Sequence, residues 1–368
     1  MKNNEKINSF SLSTLVIALS GAPFWGILTS YMIHISKTAS LISMLIGFVL
    51  SLILSLIFLK FFDSYPELLG SEKIKKVFGK FSYPLNTCFG VLATIIYIFF
   101  TYRLATFLSS QYLTQTSNIY IYAMIIFITA YTASKKIETV TRVSVISFFL
   151  AISIFAFDFF NLVNAVKIDN FLPFITVNTK SIIASSISFT LYYTVPTFFV
   201  MSYKKNNLTD KDIFKKYFYF MFSLSFIILF LAISVTIGVY GINLTDLFDY
   251  PLYTVLKKIQ IFSFLESLEN ISSIIWILYT INAGSIMLCT TFDNLESAFN
   301  LSNKKSRILN LIIILIAFIF PLIFYQNNNY IETYGYVKFP LIVTLILLIL
   351  ITISTLFISI KYKKDKEN

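Results

Sequence analysis

Ten runs of mainly apolar residues occupy most of this chain. They lie at about 10–34, 39–62, 84–110, 118–134, 141–165, 181–202, 217–241, 264–290, 308–326 and 338–360, each near the length of about 20 residues that crosses a bilayer core. In hydrocarbon every backbone N–H and C=O must be satisfied within the chain, so runs of this length can only span as helices. The connections are short, and none has room for a separate soluble domain. The expectation is an all-α polytopic membrane protein of about ten transmembrane helices. It forms one domain over 1–368, in two sets of five at about 10–165 and about 181–360, with a short tail at 361–368. The opening "MKNNEKINSFSLSTLVIALSGA" has the form of a signal peptide. The apolar run continues at once through "PFWGILTSYMI", so it reads as the first span.

Composition agrees. The chain is 57% hydrophobic and 13% charged, where soluble domains carry roughly a quarter charged residues. Cys88 and Cys289 lie inside apolar runs, and His34 is the only histidine, so neither a disulfide framework nor a metal site is expected. No glycine-rich phosphate loop, dinucleotide fingerprint or HExxH helix is present, which points away from an enzyme and from a cofactor.

The net charge of +11 raises the question of nucleic acid, and its distribution answers it. With the N-terminus inside, 22 of the 29 lysines and arginines fall on the cytoplasmic side, six fall outside, and Arg103 lies within the third span. That asymmetry is the positive-inside rule. It puts both termini in the cytoplasm and accounts for the basic charge through a lipid bilayer, with no nucleic acid. Reporters fused at Lys205 and at Asn328 are expected on opposite sides of the membrane; same-side labelling contradicts the topology.

Two spans are interrupted in matching places. Span one carries "SGAPFWG", Ser20 to Gly26, and span six carries "LYYTVPTFF" with Pro196 well inside. Proline removes a backbone donor and clashes with the preceding turn. Interrupted spans opening each of two five-helix sets are the pattern of inverted-repeat transporters, whose freed backbone groups face the substrate near the midplane. The bland alternative is a pair of ordinary proline kinks.

Charge inside the bilayer is scarce. Arg103 in "IFFTYRLATF" either faces the bundle and meets a carboxylate or snorkels outward. The candidates to meet it are in "SFLESLENISSIIWILYT", where Glu266 and Glu269 share one face of span eight. Glu269 is one turn deeper and Trp276 is seven residues further on nearly the same face. The expectation is therefore that Glu269 pairs with Arg103 while Glu266 caps the helix. Asp158 in span five is the only other deep carboxylate candidate, toward the outer end.

"FLESLENISSIIW", with Glu266, Glu269 and Trp276 at this spacing, resembles the B-subunit family of spore germination nutrient receptors, the spore permeases of the amino acid–polyamine–organocation superfamily. Further matches follow in the family's order: "GIL" at Gly26–Leu28, "YP" at Tyr65–Pro66, "FGK" at Phe78–Lys80, Arg103, "ETVTR" at Glu138–Arg142, "IDNFLPFI" at Ile168–Ile175 and "VMSYKKN" at Val200–Asn206. The resemblance covers nearly the whole length. It implies a LeuT-type 5+5 inverted repeat with broken helices one and six. It also implies a subunit that senses a small nutrient, typically an amino acid, and that assembles with a germination receptor A subunit and a lipoprotein C subunit in the inner spore membrane.

On this reading the ligand would lie between spans one, three, six and eight. Ser20, Gly21, Ala22, Phe24, Trp25 and Gly26 would bound it from span one, and Tyr192, Tyr193, Thr194 and Pro196 from span six. Arg103, Glu266 and Glu269 would form an outer polar gate. The chain departs from the family pattern at Phe24, where a glycine is usual, at Leu191 and Tyr193, where a glycine and a glutamate are frequent, and at Ser267, where an arginine is usual. Phe24–Trp25 and Tyr192–Tyr193 would narrow the midplane cavity. Two rival readings stay open: an ion-coupled amino acid permease, and a structural subunit with a degenerate site.

Overall fold

The computed structural model describes residues 6–173, 177–258, 269–324 and 337–367, without the side chains of Glu269 and Asn303. Ten helical spans run through them. Span one is Ser9–Pro23, a π turn Phe24–Leu28 and Thr29–Ser36; span two is Ser40–Asp63. Spans three, four and five are Ser82–Gln111, Asn118–Ser134 and Lys136–Leu162. Span six is Thr179–Thr194, a 3-10 turn Val195–Thr197 and Phe198–Met201. Spans seven to ten are Phe214–Thr245, Glu269–Phe299, Asn303–Phe324 and Phe339–Glu367.

Most ends differ from the sequence expectation by a few residues; the largest shifts are at span eight, which ends at Phe299 and not near 290, and at span ten, which runs on to Glu367. Tight turns delimit the shortest connections. Lys37, at φ 51, separates spans one and two, and Lys136, at φ 67, separates spans four and five. Each has a positive φ that a continuous helix cannot contain, so one helix stops there and the next begins.

The spans are apolar all round, so burial is decided by size and polarity. Span two buries Ser43, Gly47, Ser51 and Ser55, one every four residues, and leaves Val49, Ile53 and Leu56 more than half exposed. Small residues inside let backbones approach, and large aliphatic ones face lipid. Gly47 shows the effect. An added Cβ there would lie 2.7 Å from the Phe189 ring and 2.9 Å from the Ser186 carbonyl of span six, while Thr190 Oγ1 donates to the Gly47 carbonyl at 3.1 Å. Span eight runs through the middle of the bundle and packs on spans one, three, four and five.

At the basic end the spans are tied together. Ile7 N–H donates to Asn207 O at 3.1 Å and Thr209 N–H to Ile7 O at 3.0 Å. Ser9 N–H donates to Asp210 Oδ1 at 2.7 Å. A short helix, Gly70–Phe78, joins spans two and three. Its Gly70 N–H donates to Ser202 O of span six at 2.8 Å, and its fully buried Lys73 donates to Phe61 O and Phe62 O at 2.9 and 3.1 Å. That ammonium caps the C-terminal carbonyls of span two, where the helix dipole favours a cation.

Candidate functional site

The two interruptions are changes of winding and not stretches of extended backbone. Pro23 carries no N–H, so the α-helical ladder of span one cannot continue past it. The helix widens instead into the π turn Phe24–Leu28, and the Phe24 carbonyl accepts both the Thr29 N–H and, at 2.6 Å, the Thr29 hydroxyl. In span six Pro196 sits in the 3-10 turn, where Thr197 Oγ1 donates to the Thr194 carbonyl at 2.7 Å. The sequence expects unwound segments. A π turn and a 3-10 turn satisfy the backbone more economically, and π turns of this kind recur at functional sites.

Span eight explains the glycines of span one. Trp276 and Tyr279 are one turn apart, and each lays its ring against a glycine. A Cβ on Gly21 would stand 2.7 Å from the Tyr279 ring, and one on Gly26 would overlap the Trp276 ring. Arg103 of span three completes the contact by donating Nε–H to the Gly26 carbonyl at 2.7 Å. Its guanidinium lies 4.7 Å from the centre of the Tyr250 ring, a cation–π arrangement. Phe107 stands 4.5 Å from Trp276, 5.0 Å from Tyr250 and 5.1 Å from Tyr253, centroid to centroid. These rings form a plug across the bundle.

Above the plug, at the end opposite the basic one, is a cavity of about 450 Å³. Its floor is Gly26, Arg103 and Tyr250, and its walls include Ser30, Thr106, Ser109 and Asp249. Below the plug the midplane is filled. Phe24 is fully buried edge-on against Phe189. Phe189 stacks on Tyr193 at 4.9 Å, and Tyr193 meets Phe222 at 4.8 Å. The Tyr193 hydroxyl donates to the Phe222 carbonyl and that of Tyr192 to the Val337 carbonyl, the latter at 3.1 Å.

Of the residues singled out in the sequence, Gly26 and Arg103 border the 450 Å³ cavity. Ser20 is buried and hydrogen-bonded to Ser225 of span seven at 2.6 Å. Gly21 and Trp25 border a pocket of about 10 Å³ with Ser225 and Tyr279, about the size of one water. Trp25 is half-buried between the main core and a second cluster of Leu162, Val235, Val255 and Leu256. Ala22, Phe24, Tyr192, Tyr193, Thr194 and Pro196 are buried beneath the plug. Glu266 and the side chain of Glu269 lie outside the described residues. Asp158 is 6% exposed and accepts from Ser272 Oγ at 2.9 Å.

Sequence reasoning missed Tyr279, Phe107, Tyr250 and Asp249. The first was within reach as the residue three after Trp276. Phe107 was within reach too, one turn after Arg103 in span three, whereas Tyr250 and Asp249 carry no local signal, because their role depends on where a loop folds back over that span. Among the described residues no group of three or more His, Cys, Asp or Glu could hold a metal ion.

The fold has known relatives. A Na+-coupled sialic acid symporter in a substrate-bound outward-open state shares 14% identity at a TM-score of 0.58, over 95% of this chain and 78% of that one. A manganese transporter of Eremococcus coleocola, in complex with an aromatic bis-isothiourea substituted compound, shares 11% at 0.61, over 95% and 75%. MhsT in complex with L-phenylalanine shares 12% at 0.57, over 97% and 98%. At these identities the likeness establishes the fold, that of LeuT-type transporters. No curated protein matches the chain. A family profile described as Spore germination protein, the spore permeases, matches residues 6–331. The chain therefore belongs to the spore germination protein family, as an integral membrane protein with the LeuT fold and not an enzyme.

Proposed function

We propose that this chain is the nutrient-sensing subunit of a spore germination receptor and binds a small molecule, such as an amino acid, on the floor of the outer cavity. The observation that carries the reading is the cavity itself. Its volume of about 450 Å³ is in the range of small-molecule sites, and its floor joins a guanidinium, a main-chain carbonyl and an aromatic plug. Arg103 suits a carboxylate, and Asp249, across the cavity, suits an ammonium. The likeness to MhsT, solved with L-phenylalanine, agrees with a ligand of this size. Ser20, Gly21, Ala22, Phe24 and Trp25 of span one, with Tyr192, Tyr193, Thr194 and Pro196 of span six, form the layer beneath, which repacks when the ligand is held.

A ligand shifts such an equilibrium only by its difference in affinity between two states. The plug supplies two states, closed over the midplane or withdrawn from it. Both termini face the cytoplasm, in the cell membrane or the inner spore membrane, and the partners are the receptor's A subunit and lipoprotein C subunit. Sensing is favoured over ion-coupled transport because the breaks of spans one and six carry no ionisable side chain and the midplane is filled with aromatic rings.

The reading is tested by thermal melting of the purified chain with the common L-amino acids added one at a time. A ligand at about 100 times its Kd adds about 2.7 kcal/mol of stability, so a bound nutrient raises the melting temperature by several degrees. Concentrative uptake of the same compound by vesicles containing the chain alone favours the permease instead. No response to any amino acid, with assembly among A and C subunits intact, favours a structural subunit.

The outer gate has its own test. Glu269→Gln is expected to impair folding or nutrient response far more than Glu266→Gln. Breaking a buried ion pair from one side costs about 3–5 kcal/mol, and adding Arg103→Gln is expected to relieve part of the loss of stability, though not of the response. Equal single effects, or simple additivity in the double variant, contradict a pair between Glu269 and Arg103.

A further inference from the structure

The basic end of the bundle gathers lysines from two distant parts of the chain. The helix Gly70–Phe78 packs against the end of span ten through Phe78 and Phe357, with ring centroids 5.7 Å apart, and the loop before it packs there through Tyr65 and Tyr362, 4.9 Å apart. Tyr65 donates its hydroxyl to Asp365 at 2.6 Å. Burial and that carboxylate raise the Tyr65 pKa, so the phenol stays a donor. These contacts bring ammonium groups together. Lys361 Nζ donates to the main-chain oxygen of Lys76 at 3.0 Å. Lys76 Nζ lies 3.9 Å above the Tyr65 ring, and Lys366 Nζ lies 4.8 Å from the Tyr362 ring centre. Lys80 lies just past the end of this helix, in the 3-10 turn Gly79–Phe81, and is exposed.

Like charges gathered at one end of the bundle repel, and an anion among them removes the repulsion. Of the carboxylates here, Asp365 is engaged by Tyr65, and Glu67 also acts on that phenol. Two exposed apolar side chains lie on the elements that carry these lysines, Phe81 beside Lys80 at 75% and Phe357 of span ten, against Phe78, at 56% exposure. Both lie at the ends of membrane spans, where acyl chains meet headgroups.

We propose that Lys76, Lys80, Lys361 and Lys366 form a site for the phosphate headgroup of an anionic phospholipid, whose acyl chains run along Phe81 and Phe357. A free phosphate ion offers the same charge, but it has no use for the exposed phenylalanines. Basic clusters at the cytoplasmic ends of membrane helices are a recurring form of lipid recognition. The helix that carries the site is also bonded to spans two and six through Lys73 and Gly70. An occupied site therefore stiffens the end of the bundle opposite the nutrient cavity.

The test is native mass spectrometry of the full chain released from bilayers of equal parts phosphatidylcholine and phosphatidylglycerol. At about a fivefold gain per lysine near the surface, the chain is expected to retain phosphatidylglycerol over phosphatidylcholine by at least that factor. The variant Lys76→Gln, Lys80→Gln, Lys361→Gln, Lys366→Gln is expected to retain the two lipids equally. The variant Lys211→Gln, Lys216→Gln, which removes exposed charge elsewhere on the same end, is expected to keep the preference. If the fourfold variant cannot be recovered folded, the pair Lys80→Gln, Lys366→Gln decides in the same way. Three results overturn the site: a preference that survives these changes, an equal loss in the Lys211 and Lys216 variant, or loss of bound phosphatidylglycerol when inorganic phosphate is added in excess.

Discussion

Gly26→Ala is expected to lower the melting temperature of the purified chain and to abolish its nutrient response. The added methyl group has no room, because the Trp276 ring lies against the glycine and Arg103 Cγ stands 3.2 Å from the position the methyl would take. Overfilling a packed site costs about 1–3 kcal/mol. Here the strain falls on the π turn that presents the Gly26 carbonyl to Arg103. Combining it with Trp276→Leu, which vacates the space, is expected to recover most of the stability without the response, since the plug loses its largest ring. Thermal melting and nutrient response, measured on the same three variants, separate the two effects. Gly26→Ala at full stability and full response contradicts the packing.

Arg103→Gln is expected to weaken the nutrient response by tenfold or more in half-maximal concentration. Hydrogen bonds from charged groups contribute about 1.5–3 kcal/mol, and this one ties span three to the π turn while its guanidinium covers Tyr250. Arg103→Lys is not expected to rescue. An ammonium is a compact donor without the plane that stacks on a ring while bonding a carbonyl at its edge. A lysine variant with normal sensitivity reduces Arg103 to a source of positive charge.

Much of the architecture is legible in the sequence because bilayer thickness leaves a helix few choices. The ten runs predict the ten described spans, most ends to within a few residues and those of spans eight and ten less closely, and Pro23 and Pro196 mark two places where winding changes; the kink at Gly241 in span seven has no proline to mark it. The form of those changes is not legible. Whether a proline opens a helix or shifts it to π or 3-10 winding depends on what fills the space beside it. That filling comes from afar: Trp276 and Tyr279 of span eight against Gly26 and Gly21, and Ser225 of span seven against Ser20.

Trp25 shows the same limit in another way. Its neighbours Phe24 and Gly26 face spans six and three, but a helix turns by about 100° per residue. Trp25 therefore bridges the main core and the cluster of Leu162 and Val235. The cavity floor is readable in part, through Arg103 and Gly26. Tyr250 and Asp249 reach it from a loop whose path no local pattern announces.

Thiol labelling with a membrane-impermeant maleimide tests most directly whether a nutrient is held above the plug. In a Cys88→Ser, Cys289→Ser background, the Thr106→Cys variant reports on the cavity wall and the Ser20→Cys variant on the buried layer beneath. The account predicts rapid labelling at position 106, slowed by the same amino acid that raises the melting temperature, and no labelling at position 20 from the outside. Labelling at position 106 that no nutrient slows, together with ready labelling at position 20, would place the ligand path through the midplane and contradict the account.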